Sequence, residues 1–295
     1  MEDEQMKGAI SYLKELFGLY RLYGRMDLQW FLQDSRNSLI LLAVDVVLGV
    51  ADPAGLMLLA VRFQGVGGFS AREVLFVLAF YETGNGFLTM LFCNYNVLNI
   101  SRRVGRGQLD HMLIQPRPLA MQLLAEGFAP VSGCGKLLVG LAVLIVACVG
   151  LHMRITPVWV LMLMLYVICY GALQIGQSYL WGSLAFYIPA AFEEISSVIL
   201  DLNGAVGRYP LAGLPRWLAA GLCTVLPVGL TAYLPARVLL GKVQTPWQIA
   251  LPFAVAAAFL WGAGRAFRRG MRRYLTHSCN RYRDRGFRNG GEVFP

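Results

Sequence analysis

The chain has 295 residues, 57% of them hydrophobic and only 15% charged, with a mean hydropathy of +0.54. Soluble domains run at about 45–50% apolar and about 25% charged, so the surplus apolar surface here belongs against lipid, which argues against a soluble enzyme. The net charge of +9 gathers at the chain ends and between apolar runs, the imprint of membrane topology rather than of a nucleic-acid-binding face.

The opening segment, residues 1–37, is acidic at first and then basic, and it lacks the short apolar core of a cleavable signal. Within it, residues 9–36 mix leucine and aromatic residues with Lys and Arg, the composition of an amphipathic helix lying in the membrane interface. An ordinary lead-in to the first span has the same composition.

A helical span needs about 20 mostly apolar residues. Clear candidates lie at 38–61, 74–98, 131–151, 157–182, 217–240 and 247–267, and a weaker one at 186–206, which carries Glu193, Glu194 and Asp201. Basic residues concentrate in the head (Lys7, Lys14, Arg21, Arg25, Arg36), after the second span (Arg102, Arg103, Arg106, Arg117) and in the tail from Arg265 to Arg288. The positive-inside rule then places head, second loop and tail in the cytoplasm, which requires an even number of spans, six being the natural count.

One candidate between 186 and 240 must therefore fail to cross. The stretch 209–240 carries Pro210, Pro215, Pro227 and Pro235. Proline removes a helical hydrogen bond, and broken helices survive at membrane depth only where protein or water satisfies the freed backbone. The expectation is that 209–240 dips in from the outer face and returns, and that 186–206 is the fifth span. The fold class is then all-α: a polytopic membrane protein of six spans, an interfacial N-terminal helix and re-entrant outer-face helices before the last span.

Signs of chemistry are weak. The six cysteines are scattered without a Cys-x-x-Cys pair, so neither a zinc site nor a disulfide framework is indicated. His111, His152 and His277 fall in separate parts of the expected topology, which leaves a metalloprotease without ligands at depth. The run Ser132-Gly-Cys-Gly-Lys136-Leu137 resembles a phosphate-binding loop only briefly, because Pro130 and Leu137 occupy positions that need Gly and Ser or Thr. No catalytic residues, metal site or cofactor are expected. Polar residues inside spans mark either a transport path or pairing with neighbouring helices. The candidates are Asp45, Glu82, Asn85, Asn94, Glu193, Glu194 and Asp201. Their mostly acidic character suits a cationic or amphipathic cargo.

In the loop after the second span, basic residues run into a glycine-bounded turn, a short amphipathic turn of helix (Gln108 to Gln115) follows, and Pro116 and Pro118 stop it. Such an element is something a partner protein could push on. A solvated basic loop reads the same way.

The run Gly107-Gln-Leu109-Asp110-His-Met-Leu113-Ile-Gln-Pro116 is similar to the G-x-L-D-x-x-L-x-x-P stretch of type-2 ABC export permeases, most of all their small, stand-alone six-helix branch. Tyr209-Pro210-Leu211 through Pro215, then Pro227, Tyr233-x-Pro235-Ala236 and Leu239-Leu240-Gly241 resemble that branch's outer-face signature. Gly68-Phe69 to Glu73-Val-Leu is similar to its G-W-x-x-x-E-V-L. The Arg-rich tail departs from the family's short aromatic-glycine ending. The resemblance implies a membrane permease region over 38–267, flanked by the 1–37 head and a basic cytoplasmic tail, 268–295. Its loop 99–122 would couple to a cytoplasmic ABC ATPase through Gly107, Leu109, Asp110, Leu113 and Pro116. It further implies a second permease subunit, identical or related, a place in the cytoplasmic membrane, and ATP-driven export. An ATP-independent channel or a membrane anchor or assembly protein is the alternative.

Overall fold

The computed structural model describes residues 2–92, 99–105, 107–211, 215–224, 226–243 and 245–276, without the side chains of 2–10, 52, 189–191, 193, 216, 219 and 220. Asn94 and the tail from His277 onward lie outside the described residues. The described chain is helical throughout, with a single isolated bridge between Val66 and Phe69. Four helices are long and apolar enough to cross a membrane: α2 (Ser35–Arg62), α3 (Ala71–Phe92), α8 (Pro157–Gly182, which runs on through a 3-10 turn to Phe186) and α13 (Trp247–Thr276). α7 (Gly135–Gly150) is apolar but shorter, and the 18-residue α9 (Pro189–Val206) carries Glu193, Glu194 and Asp201.

The hub is α3. Its span window is 72% buried, whereas α2 and α13 bury only 12% and 17% of theirs; α2 turns rows of leucine, valine and isoleucine outward, and α13 exposes Leu260, Trp261 and Leu275. Apolar outer faces are what hydrocarbon solvates, so in this chain the hydrophobic effect inserts the bundle and close packing holds it together. The tightest seam runs between α3 and α7. A Cβ on Gly86 would lie 2.3 Å from the backbone nitrogen of Leu137, and one on Gly140 would lie 2.5 Å from that of Thr83. Only hydrogen fits at either position, which brings the two backbones into direct contact. On the other side of the hub, buried Asn203 donates from Nδ2 to Oε1 of buried Gln177 at 2.6 Å, tying α9 to α8.

The two ends of the bundle differ. At one, the α2–α3 turn puts Gln64, Gly65, Gly67 and Gly68 at positive φ. Gly65 is obligatory there, since a Cβ would stand 2.2 Å from the carbonyl oxygen of Phe69. Glu73 in the first turn of α3 accepts from the backbone N–H of Ser70 at 2.9 Å and pairs with Lys242 at 2.7 Å. Beside it the 209–240 stretch folds as three short pieces, α10 (Arg216–Thr224), α11 (Val228–Thr231) and α12 (Tyr233–Leu239), with Pro227 capping α11. Trp159 anchors the last of them by donating to Leu239 O at 3.1 Å.

At the opposite end lie three short helices, α4 (Ile100–Gly105), α5 (Gln108–Leu113) and α6 (Leu119–Ala125), with the long α1 (Glu2–Gln33) laid across them. Leu19 of α1 is buried with Met121 and Ala125, and the Tyr20 hydroxyl donates to Leu124 O at 2.9 Å. Asp27 accepts from the backbone N–H groups of Val131 and Ser132 at 2.8 and 3.2 Å and from the Ser132 hydroxyl. These bonds hold 131–133 in a turn, so α7 starts at Gly135 rather than at 131. The last helix also differs from the expected 247–267, because α13 continues to Thr276. The physical reason is a packing stripe: Gly270 sits against the Phe186 ring, and Tyr274 is buried at 5% exposure.

Candidate functional site

The first candidate is the α4–α5–α6 end. Gly107 precedes α5 with φ +70°, a left-handed conformation that turns the chain between α4 and α5. Leu109 and Met112, three residues apart on one face of α5, are 0% and 5% exposed and pack with Ile100, Val104, Leu123 and Tyr274. The opposite face is open, with Leu113 37% and Ile114 81% exposed. Exposed Pro116 follows, and Pro118 caps α6. Gln122 clamps the turn from beneath, donating to Met112 O at 3.0 Å and Arg117 O at 2.8 Å. Arg103 pairs with Glu126 at 3.0 Å. The Tyr274 hydroxyl donates to Oδ1 of Asp110 at 3.0 Å, so the last turn of α13 holds α5 directly.

Leu109, expected on the partner-facing side, therefore belongs to the chain's own core. The outward apolar pair is Leu113 and Ile114. Sequence reasoning missed Ile114, and it missed Tyr274 because that partner lies 164 residues from Asp110.

The second candidate is a half-open cavity of about 830 Å³ lined by α3, α4, α7, α8 and α9. Of the expected path residues, Asn85, Glu194 and Asp201 line it. Glu194 and Asp201 share a face of α9 with Ser197 and Gly204, at steps of three and four residues, and Arg208 follows just beyond the helix end. Glu82 does not line the cavity but stands behind its wall, 2% exposed, with Oε1 3.8 Å from Nε of Arg208. The Arg208 guanidinium lies 5.4 Å from the ring centre of Tyr81. Asp45 is elsewhere: it packs on Gly135, where a carboxylate meets the positive end of α7. The backbone of Glu193 is part of α9, its side chain falls outside the described residues, and so does Asn94.

Three cations that the sequence reading left out also reach this cavity: Arg102 from α4, Lys136 from α7 and Arg208 after α9. Arg102 and Arg208 sit beyond the ends of apolar runs, so a search for charges inside spans passes over them; Lys136, inside the expected span 131–151, enters the sequence reading only as part of an imperfect phosphate-binding run. The sequence held a partial signal for one of them, since Arg208 follows Asp201 by seven residues, although α9 itself ends at Val206.

The family model described as ABC-2 family transporter protein matches residues 48–278 of this chain, a stretch that takes in α3 to α13 and both candidate sites. No curated protein and no solved structure matches the chain. With its bundle of apolar helices, its short-helix end and its half-open cavity, the chain belongs to the ABC-2 transporter family, as a multi-pass membrane permease subunit that partners an ABC ATPase.

Proposed function

We propose that this chain is the permease half of an ATP-driven exporter in the cytoplasmic membrane, with both termini cytoplasmic and α2, α3, α7, α8, α9 and α13 as six spans. The unbroken α9 and the three-piece α10–α12 stretch support a fifth span followed by helices that enter the outer face and return. At about 24 Å, the 16-residue α7 is short for a bilayer core of about 30 Å, and the Asp27-held turn before it supplies the rest of the crossing. Two such subunits, identical or related, face each other.

The observation that carries the reading is the construction of α5. Its inner face, Leu109 and Met112, is locked to the chain's own core and Asp110 is tied to α13, while Leu113 and Ile114 stand in the open. A rigid element with an outward apolar tip transmits force where a floppy loop would absorb it. ATP binding closes two ATPases, each presses on this tip, and the push passes through Asp110–Tyr274 into the last span. Gly107 and Pro116 bound the element, and no bond is made or broken in this chain.

The test is a pull-down of the tagged chain, co-expressed with its ATPase in mild detergent, with ATP hydrolysis assayed on what co-purifies. Co-purification that is lost in a Leu113→Asp/Ile114→Asp variant supports the reading. A chain that purifies alone in both forms points to an ATP-independent channel or a membrane anchor.

A further inference from the structure

Burial divides the cavity into a floor and a rim. Tyr81, Tyr170 and Gln174 form the floor at 3%, 1% and 6% exposure. Arg208 reaches this floor with its side chain 21% exposed, its guanidinium over the Tyr81 ring. Glu194 and Asp201 are both exposed and belong to the rim, about 10 Å apart along α9. Position decides which sign matters. Charges at an exposed rim are screened by water, whereas a charge on a mostly buried floor acts through a lower effective dielectric.

The floor's cation has a counter-charge in Glu82, but that carboxylate is buried behind the wall at 3% exposure and does not line the cavity. A solute that enters meets the guanidinium, not the acid. Half-buried Lys136 brings a second positive charge from α7, whereas Arg102 is exposed and belongs to the rim with the two acids. The acids taken alone point to a cationic cargo, and the burial pattern reverses that.

We propose that the cavity is a cargo site whose recognised group is an anion, a carboxylate or phosphate, received by Arg208 with Lys136 as the second cation. Its volume of about 830 Å³ matches a whole small molecule. The proposal rests on the permease reading for the word cargo, whereas the charge preference is a property of the chain alone.

The experiment uses Asn85→Cys, on the α3 wall of the cavity, in the otherwise native chain reconstituted in phosphatidylcholine vesicles. Its modification is followed with sulfonate-bearing and trimethylammonium-bearing methanethiosulfonates, each rate normalised to a small free thiol and corrected for the parent chain. The anionic reagent should be favoured at least tenfold: one unit charge about 10 Å away at an effective dielectric of about 20 shifts each rate about tenfold in opposite senses, and Glu82 behind Arg208 offsets part of that. Arg208→Gln should erase most of the preference and Arg208→Lys should keep it. Should Arg208→Gln fail to fold with Glu82 left unpaired, the double variant Glu82→Gln/Arg208→Gln keeps the charge balance and must also lose the preference. A cationic preference, or an anionic one that survives the double variant, overturns the proposal.

Protection of the introduced thiol then tells one source of the anion from the other. Protection by a soluble tripeptide with a free carboxylate, and not by its amide, assigns a soluble cargo. Slowing when phosphatidylglycerol replaces half the phosphatidylcholine assigns a lipid headgroup. Protection by neither overturns binding. A missing ATPase in the pull-down removes the exporter reading without touching these rates.

Discussion

The hydroxyl of Tyr274 donates to the carboxylate of Asp110 at 3.0 Å, joining the last turn of the last long helix to a six-residue helix 164 positions earlier. Tyr274 is itself buried among Phe186, Leu109 and Ile100, so the bond is held from one side by packing. A bond to a charged acceptor contributes about 1.5–3 kcal/mol where it is sheltered, and less here because Asp110 is exposed. Its value lies in the path it makes between α5 and α13.

Breaking that path should uncouple rather than unfold. Tyr274→Phe keeps the ring and removes the hydroxyl, and Asp110→Lys reverses the acceptor. Both variants should insert in the membrane and retain ATP hydrolysis by the complex while transport falls, most severely for Asp110→Lys. Transport at the parent rate in both would remove Asp110 from the coupling element.

The two faces of α5 should respond oppositely to substitution. Leu109→Ala opens a cavity in a fully buried site and should cost about 2–5 kcal/mol, read as a lower thermal midpoint of the detergent-purified chain. Ile114→Asp, at 81% exposure, should leave the midpoint unchanged and weaken ATPase co-purification. If Ile114→Asp binds the ATPase normally, the outward tip is not the contact.

Gly86 and Gly55 offer a matched pair of glycine-to-alanine changes in helices. A Cβ at Gly86 meets Leu137 backbone at 2.3 Å, and one at Gly55 meets nothing within 4 Å. Gly86→Ala should push α3 and α7 apart and cost about 1–3 kcal/mol, whereas Gly55→Ala should be neutral or stabilising by up to about 1 kcal/mol. Equal thermal midpoints for the two would mean that the α3–α7 seam is looser than drawn.

Topology is open to a direct check. A fluorescent reporter on the C-terminus should read as cytoplasmic, and one inserted between Gly67 and Gly68 should read as external. A C-terminal reporter outside the membrane would break the six-span arrangement and with it the cytoplasmic placement of α5.

Hydropathy located most of the helices because a span is a composition problem: about 20 apolar residues in a row leave few alternatives to a helix in lipid. The break at 209–240 was visible for the same local reason, since Pro227 and Pro235 act on their own backbone, and the observed pieces start just after the one and just before the other. The start of α7 was not visible, because Asp27, more than 100 residues away, holds the preceding turn. In the short-helix end, Gly107 and the two prolines mark α5 locally, but which of its faces is open depends on what Ile100, Leu123 and Tyr274 cover.

The cavity shows the division most clearly. Sequence alone determined that this is a multi-span helical membrane protein and that polar residues sit on helices where hydrocarbon would penalise them, because burial in lipid is a property of each segment's own composition. Only tertiary structure decided that Asn85, Asp201 and Glu194 share a space with Lys136 and Arg208 while Asp45 does not. It also decided that the cation faces that space and Glu82 stands behind it. The sign a solute meets is set by distance and burial between charges from different helices, and neither quantity is written in any one segment.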